Sequence, residues 1–255
     1  MAGTDTGLSG KVAVVTGGAR GIGRAIALAL AAEGVTVGVL DIDEAGARET
    51  AEAARKAGGD GIAVKVDIAD RKAVFAAVDQ VVAKAGGLDI LVNNAVYFHY
   101  APLVDMPEDI VDRMLDIGLK GSFWASQAAT PHLIARGGGC VINLSSVAVS
   151  FAIKNAAVYT SIKSALDGFT RQQAVELGPH GIRVNALAPG PVSTPGANSV
   201  ITEEGWASRK ARTPLKRVAS AEEIGAAAVF LCSNAGQTIS GVTLKIDGAI
   251  TIAGP

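Results

Sequence analysis

Tyr159 and Lys163 stand four residues apart in a stretch, Ala157 to Leu177, whose pattern predicts a helix, so both project from one face. Ser146 precedes Tyr159 by thirteen residues and follows an apolar run, Cys140 to Leu144. These types suit proton exchange at an alcohol or ketone. A free tyrosine has a pKa of about 10 and is a poor base near neutrality. An ammonium about 4 Å away, at an effective dielectric near 20, favours phenolate by up to about 4 kcal/mol, or about three pKa units. A tyrosine tuned in this way is an effective general acid–base. Ser146 can hydrogen-bond the substrate oxygen and stabilise its developing charge. Tyr-x-x-x-Lys alone is also an ordinary helix face; Ser146 and a glycine-rich turn give it meaning.

That turn is Thr16-Gly17-Gly18-Ala19-Arg20-Gly21-Ile22-Gly23, between an apolar run and a helical stretch. Glycine lets the backbone approach a pyrophosphate, and the helix start offers free N–H groups to its phosphates. Asp41 ends the next apolar run, 18 residues beyond Gly23, where a carboxylate accepts hydrogen bonds from an adenosine ribose and repels the 2′-phosphate of NADP. Its alternative reading is a helix cap. Arg20 pulls towards a 2′-phosphate, but Asp41 is better placed, so NAD is the expected cofactor. Asp67 either contacts the adenine or caps the following helix.

The elements that must position these groups alternate. Expected strands are Val12 to Val15, Val35 to Leu40, Ile62 to Val66, Leu88 to Val92, Cys140 to Leu144, Ile182 to Leu187 and Val242 to Ile246. Expected helices run from Gly21 to Glu33, about Asp43 to Ala57, Asp70 to Ala85, Pro107 to Ala135 and Ala157 to Leu177, and another opens at the capping box Ser220 and Glu223. The strands are continuously apolar, which marks burial on both faces. Alternation of this kind predicts an α/β fold, a doubly wound parallel sheet with helices on both faces and ligands beyond the strands' carboxyl ends.

The chain has 255 residues, 49% hydrophobic and 18% charged, enough for a large core in a single domain. A net charge of −1 gives no electrostatic footprint for nucleic acid. Met1 to Gly10 lacks an apolar leader, and no uninterrupted apolar stretch suits a membrane span. Cys140 and Cys232, distant in sequence, read as small buried apolar groups of a reducing compartment, so the cytoplasm is expected. The three histidines show no metal-ligand spacing, and no metal is expected.

The chain resembles the short-chain dehydrogenase/reductase family from Lys11 to about Ala249. The resemblance rests on Thr16 to Gly23, Asn93-Asn94-Ala95, Ser146, Tyr159 to Lys163, Pro189-Gly190 with Thr194, and Ile246-Asp247-Gly248. It implies a Rossmann-type domain of seven parallel strands, assembled as a homotetramer or homodimer. It also implies that Asn93 and Asn94 support the cofactor site, that Lys163 holds the nicotinamide ribose, and that Val192 and Thr194 contact the carboxamide. Ile68, beside Asp67, and Ala95 join the expected cofactor contacts. Two positions depart from the family pattern. Val96 replaces a glycine, where a β-branched side chain narrows the space beside the nicotinamide and disfavours a positive φ. Gly118 replaces the asparagine that helps to hold a proton-relay water, and an ordered water on its backbone carbonyl is the expected substitute.

On the substrate side, Val96, Phe98, His99, Ser146, Phe151 and Trp206 are the expected contacts. Tyr97 to Tyr100 concentrates the sparse aromatic residues. Residues 193–212 read as an irregular, mobile lid. The expected activity is NAD-linked oxidation of a secondary alcohol: a polyol, sugar, cyclic alcohol or hydroxy acid. Its rivals are an NADP-linked 3-oxoacyl-type ketone reductase and a dinucleotide-binding protein that has lost catalysis.

Overall fold

A computed structural model describes residues 5–253; Met1 to Thr4, part of the segment read for a leader, lie outside the described residues. The alternating pattern folds as β1 (Val12–Thr16), α1 (Gly21–Ala32), β2 (Thr36–Asp41), α2 (Glu44–Ala57), β3 (Asp60–Lys65) and α3 (Arg71–Ala85). It continues through β4 (Ile90–Asn93), α4 (Glu108–Leu115), α5 (Gly121–Ala135), β5 (Gly139–Leu144) and α6 (Ala157–Leu177). The remainder is β6 (Ile182–Pro189), α7 (Pro195–Asn198), α8 (Glu203–Arg212), α9 (Ala221–Cys232) and β7 (Thr243–Ile246).

The strands form one parallel sheet in the order β3-β2-β1-β4-β5-β6-β7. Strand order reverses between β1 and β4, and the crevice at their carboxyl ends is the natural ligand position of such a sheet. Val12 and Val14 pack with Val78, Val81 and Leu133 on one face, and Ala13 and Val15 with Ile26, Leu30 and Leu231 on the other. Successive strand side chains point to opposite faces, so a strand between two helical layers must be apolar throughout. Ser220 Oγ accepts the Glu223 N–H while the Glu223 carboxylate accepts the Ser220 N–H, the expected capping box of α9.

Several expectations need correction. The helix expected over Pro107 to Ala135 is interrupted by a π turn, Asp116–Lys120, and Pro107 lies one residue ahead of α4. Residues 193–212 carry two short helices, not an irregular stretch: Thr194 caps α7 and Thr202 caps α8 through their side-chain oxygens. β4 starts at Ile90, two residues later than expected, and the Asp89 carboxylate just before it turns back to the Val12 N–H, Lys11 and Arg136. Cys140 and Cys232, 92 residues apart in sequence, have Sγ atoms 3.5 Å apart, and both thiols are free. Among the described residues no helix is long and apolar enough to cross a membrane, and no cluster of His, Cys, Asp and Glu has the makings of a metal site.

Candidate active site

The end of β1 is fastened to the end of β4 by one buried hydroxyl. Thr16 Oγ1 donates to Val92 O at 3.2 Å and accepts the N–H groups of Asn94 at 3.0 Å and Ala95 at 3.1 Å. Asn94 Nδ2 returns hydrogen bonds to the carbonyls of Thr16 and Gly17, both at 2.9 Å. Asn94 thus shapes the glycine-rich turn. Gly17 and Gly21 have φ of 65° and 57°, and a Cβ on Gly23 would lie 2.2 Å from Gly17 O. Only glycine fits there, and the result is a narrow backbone cradle. No side chain caps the start of α1, where exposed Arg20 adopts an extended conformation. Free N–H groups at such a terminus, Ile22 and Gly23 included, fit a pyrophosphate.

Asp41 caps no helix. Its carboxylate accepts the Ala19 N–H at 2.9 Å and the Asp43 N–H at 3.0 Å, while Asp43 caps α2. Asp41 is therefore tied to the glycine-rich turn. Both readings of Asp67 meet a competitor. It pairs with Arg113 at 3.0 Å and accepts the Ala69 N–H, and the cap of α3 is Asp70. Ile68 is buried against Gly121, where an added Cβ would lie 2.9 Å from Ile68 Cγ1. Gly190 donates its N–H to Ile246 O, and Val192 bridges Ala219. Thr194 sits close to the turn, since a Cβ on Gly21 would lie 3.6 Å from Thr194 Cβ.

A buried amide network underlies the other half of the site. Asn143 Oδ1 accepts from Asn93 Nδ2 at 2.8 Å, and Asn143 Nδ2 donates to Thr170 Oγ1 at 2.9 Å and Gln173 Oε1 at 3.0 Å. Asn93 Nδ2 also donates to Ser126 Oγ, so β4, β5, α5 and α6 share one polar junction. Asn93 supports the site from beneath. Ser145 Oγ donates to Lys163 O at 3.2 Å, and Lys163 Nζ donates to Leu144 O at 2.5 Å, clamping α6 onto the end of β5. Ser146 and Lys163 are only 6% and 4% exposed. Lys163 Nζ is 5.8 Å from the centroid of the Tyr159 ring.

The electrostatics differ from the expected tuning. Burial pushes the Tyr159 pKa up, and a hydrogen bond with the Ser146 hydroxyl works against it. Burial also lowers Lys163 to about 8. Desolvation penalises the charged form of both groups, so the ammonium does not make the phenol acidic in the protein alone.

Gly118 occupies the π turn. Its carbonyl already accepts Ser122 Oγ at 3.1 Å, which leaves at most one lone pair for the expected relay water. A Cβ there would meet Ile162 Cγ2 at 3.0 Å, so this turn is fitted to glycine. Val96 has no positive φ, and its β-branched side chain meets no backbone conflict.

Phe98 and Tyr100 stand edge-on to Tyr159, with ring centroids 6.5 and 5.9 Å away and 5.6 Å between them. Sequence reasoning placed Tyr100 in the aromatic run but selected Phe98 and His99 as contacts. In an extended segment alternate residues share a side, and that period pairs Tyr100 with Phe98. His99 is exposed. Tyr100 is 41% exposed, but its packing against the neighbouring rings, and secondarily Tyr159, raises it to about 12, so it remains a neutral donor. Phe151 and Trp206 are half-buried on the flanking segments, and Arg209 lies over the Trp206 ring.

Residues 17–251 match the family model described as enoyl-(acyl carrier protein) reductase. The chain is 38% identical to D-threitol dehydrogenase of Mycolicibacterium smegmatis, over 97% of this chain and 95% of that protein. It is 37% identical to 3-oxoacyl-[acyl-carrier-protein] reductase of Staphylococcus aureus, over 94% and 98%. A crystal structure of 7α-hydroxysteroid dehydrogenase complexed with NADH and 7-oxo glycochenodeoxycholic acid superposes with a TM-score of 0.93 at 35% identity, covering 97% of each chain.

Proposed function

Because the chain belongs to the short-chain dehydrogenase/reductase family, oxidoreductases that act on CH–OH groups with a nicotinamide cofactor, we propose that it is an NAD-linked dehydrogenase of ring-bearing secondary alcohols. The observation that carries the reading is Tyr159, packed beside Ser146 and Lys163 under the aromatic edge of Phe98 and Tyr100.

In this reading the turn from Thr16 to Gly23 holds the pyrophosphate and Asp41 the adenosine ribose. Asp67 and Ile68 flank the adenine side, Asn94 and Ala95 border the nicotinamide half, and Lys163 holds its ribose. Pro189 and Gly190 lead Val192 and Thr194 to the carboxamide. The oxidised nicotinamide, when bound, supplies a hydride acceptor and a positive charge beside the phenol.

The chain's own groups handle the proton. Ser146 Oγ accepts the Ala148 N–H, and its own proton, directed at Tyr159 in the free protein, would turn to the substrate oxygen when an alcohol lies between them. Tyr159 Oη takes the alcohol's hydroxyl proton as a phenolate, its own proton having first left on the Lys163 side once the positive charge of the bound cofactor offsets the effect of burial. Lys163 Nζ uses one donor on Leu144 O and keeps two for the ribose and the proton exit. Phe98 and Tyr100 offer flat apolar contact to a ring-borne alcohol; Val96, Phe151 and Trp206 complete the walls. Residues 193–212 act as the lid. A homotetramer built partly on α5 and α6 belongs to the same reading, supported by the Phe123–Phe169 stack at 4.1 Å and by Val175, 77% exposed. So does a cytoplasmic location, supported by the two free thiols.

The test is turnover by the purified protein with NAD or NADP on cyclic secondary alcohols, linear polyols and 3-oxoacyl thioesters, the last assayed with the reduced cofactors. The highest kcat/KM is expected for a cyclic alcohol with NAD. A clear preference for 3-oxoacyl thioesters with NADPH would replace this reading by a reductase.

A further inference from the structure

Cys140 is the second residue of β5 and Cys232 the last of α9, at the opposite end of β5 from Ser146. Their sulfurs are in contact at 3.5 Å. Arg183, paired with Cys140 in the sheet register, donates from Nη1 to Leu231 O at 2.6 Å and from Nη2 to Cys232 O at 3.2 Å. It thereby fixes the end of α9 against the strand. A cavity of about 260 Å³ is lined by Cys140, Cys232 and Arg183, with Lys11, Ser233 and Asn234 also in its walls, so solvent and a small polar oxidant come up to the residues that carry the pair.

We propose that Cys140 and Cys232 are a reversible thiol–disulfide site, closed by hydroperoxides and reopened by thiols. A disulfide needs an S–S distance of about 2.05 Å, so the sulfurs must approach by only about 1.5 Å. The half-buried end of α9 can supply that shift by side-chain rotation. Cys140 is the sulfur to react first. The Cys232 S–H donates to it and lowers its pKa; burial opposes this, and Arg183 assists. Cys140 releases its proton to solvent, and its thiolate attacks one peroxide oxygen. The O–O bond breaks to give a sulfenic acid, and the departing hydroxide or alkoxide takes up a proton. Cys232 sulfur then displaces the sulfenic hydroxyl, which leaves as water with the Cys232 proton. With hydrogen peroxide, two thiols and one peroxide give one disulfide and two waters. The crosslink closes the 92-residue span that contains Ser146, Tyr159, Lys163 and the helices of residues 193–212. Loop closure restricts the unfolded chain, and the Ser146 end of β5 is left in place.

The experiment treats the full chain with hydrogen peroxide and follows free thiols, intact mass and a non-reducing peptide map. The expected result is loss of both thiols and of two hydrogens in mass, with one peptide pair joining residues 140 and 232, all reversed by dithiothreitol. The melting temperature should rise by roughly 5 °C or more. Cys232→Ser, at the more accessible position, should keep the parental fold and lose both the link and the rise; Cys140→Ala should do the same. Added oxygens on either cysteine without a link, a link between two chains, or thiols that persist under excess peroxide would overturn the proposal.

Discussion

Asp41→Ala tests the cofactor assignment and separates two roles that one carboxylate combines. A carboxylate has about four acceptor sites, and two are used on Ala19 N–H at 2.9 Å and Asp43 N–H at 3.0 Å. Those left over suit ribose hydroxyls. Hydrogen bonds to a charged group are worth about 1.5–3 kcal/mol net. Losing the equivalent of one should lower kcat/KM for NAD by roughly 10- to 150-fold, at about 1.4 kcal/mol per factor of ten. NADP should lose nothing and gain from removal of a negative charge, so the NAD-to-NADP ratio should fall by at least that factor. Of the two lost backbone contacts one is partly buried and the other exposed, and the melting temperature should drop by a few degrees. The assay is kcat/KM with both cofactors beside a thermal melt. A melt that falls while the ratio changes by less than about threefold would mean that Asp41 only holds the loop.

Two further outcomes follow from the buried groups. Asn143→Leu removes three side-chain hydrogen bonds from the junction of β4, β5 and α6 and strands their partners. At about 1 kcal/mol each, that is about 3 kcal/mol, read as a melting temperature lowered by roughly 6–12 °C. Lys163 titrates near 8 in the folded chain against about 10.5 unfolded. Below pH 8 both states carry the proton and the folded state bears the cost of a buried charge. Between about pH 8 and 10.5 the unfolded chain binds more protons, so this group adds stability as pH rises, up to about 3 kcal/mol. Chemical denaturation of the parent and Lys163→Met across that range should show the gain in the parent alone; parallel curves would refute it.

The sheet was legible because burial on both faces leaves its mark in consecutive residues: Val12 to Val15 is apolar at every position. Helix α6 has the expected bounds, and Ser220 with Glu223 announced α9. What escaped depends on distant partners. Asp67 pairs with Arg113, 46 residues on, and no spacing rule connects them. Cys140 and Cys232 meet only after the crossover through β6. The π turn at Gly118 packs beside Ile162 of α6, a neighbour that is invisible from the local pattern. The direction of the Tyr159 shift was missed for a related reason. Spacing showed that Lys163 lies nearby, but desolvation of both groups is a property of the folded surroundings.

The central claim is that the Tyr159 hydroxyl exchanges the substrate proton, and Tyr159→Phe removes that oxygen while keeping the ring that packs on Phe98, Tyr100 and Lys163. Steady-state turnover with NAD and the best alcohol of the panel, alongside direct titration of cofactor binding, is the decisive measurement. The expected result is kcat lowered by about 10²- to 10⁴-fold with NAD affinity within about twofold of the parent. Turnover at the parental rate would contradict the account.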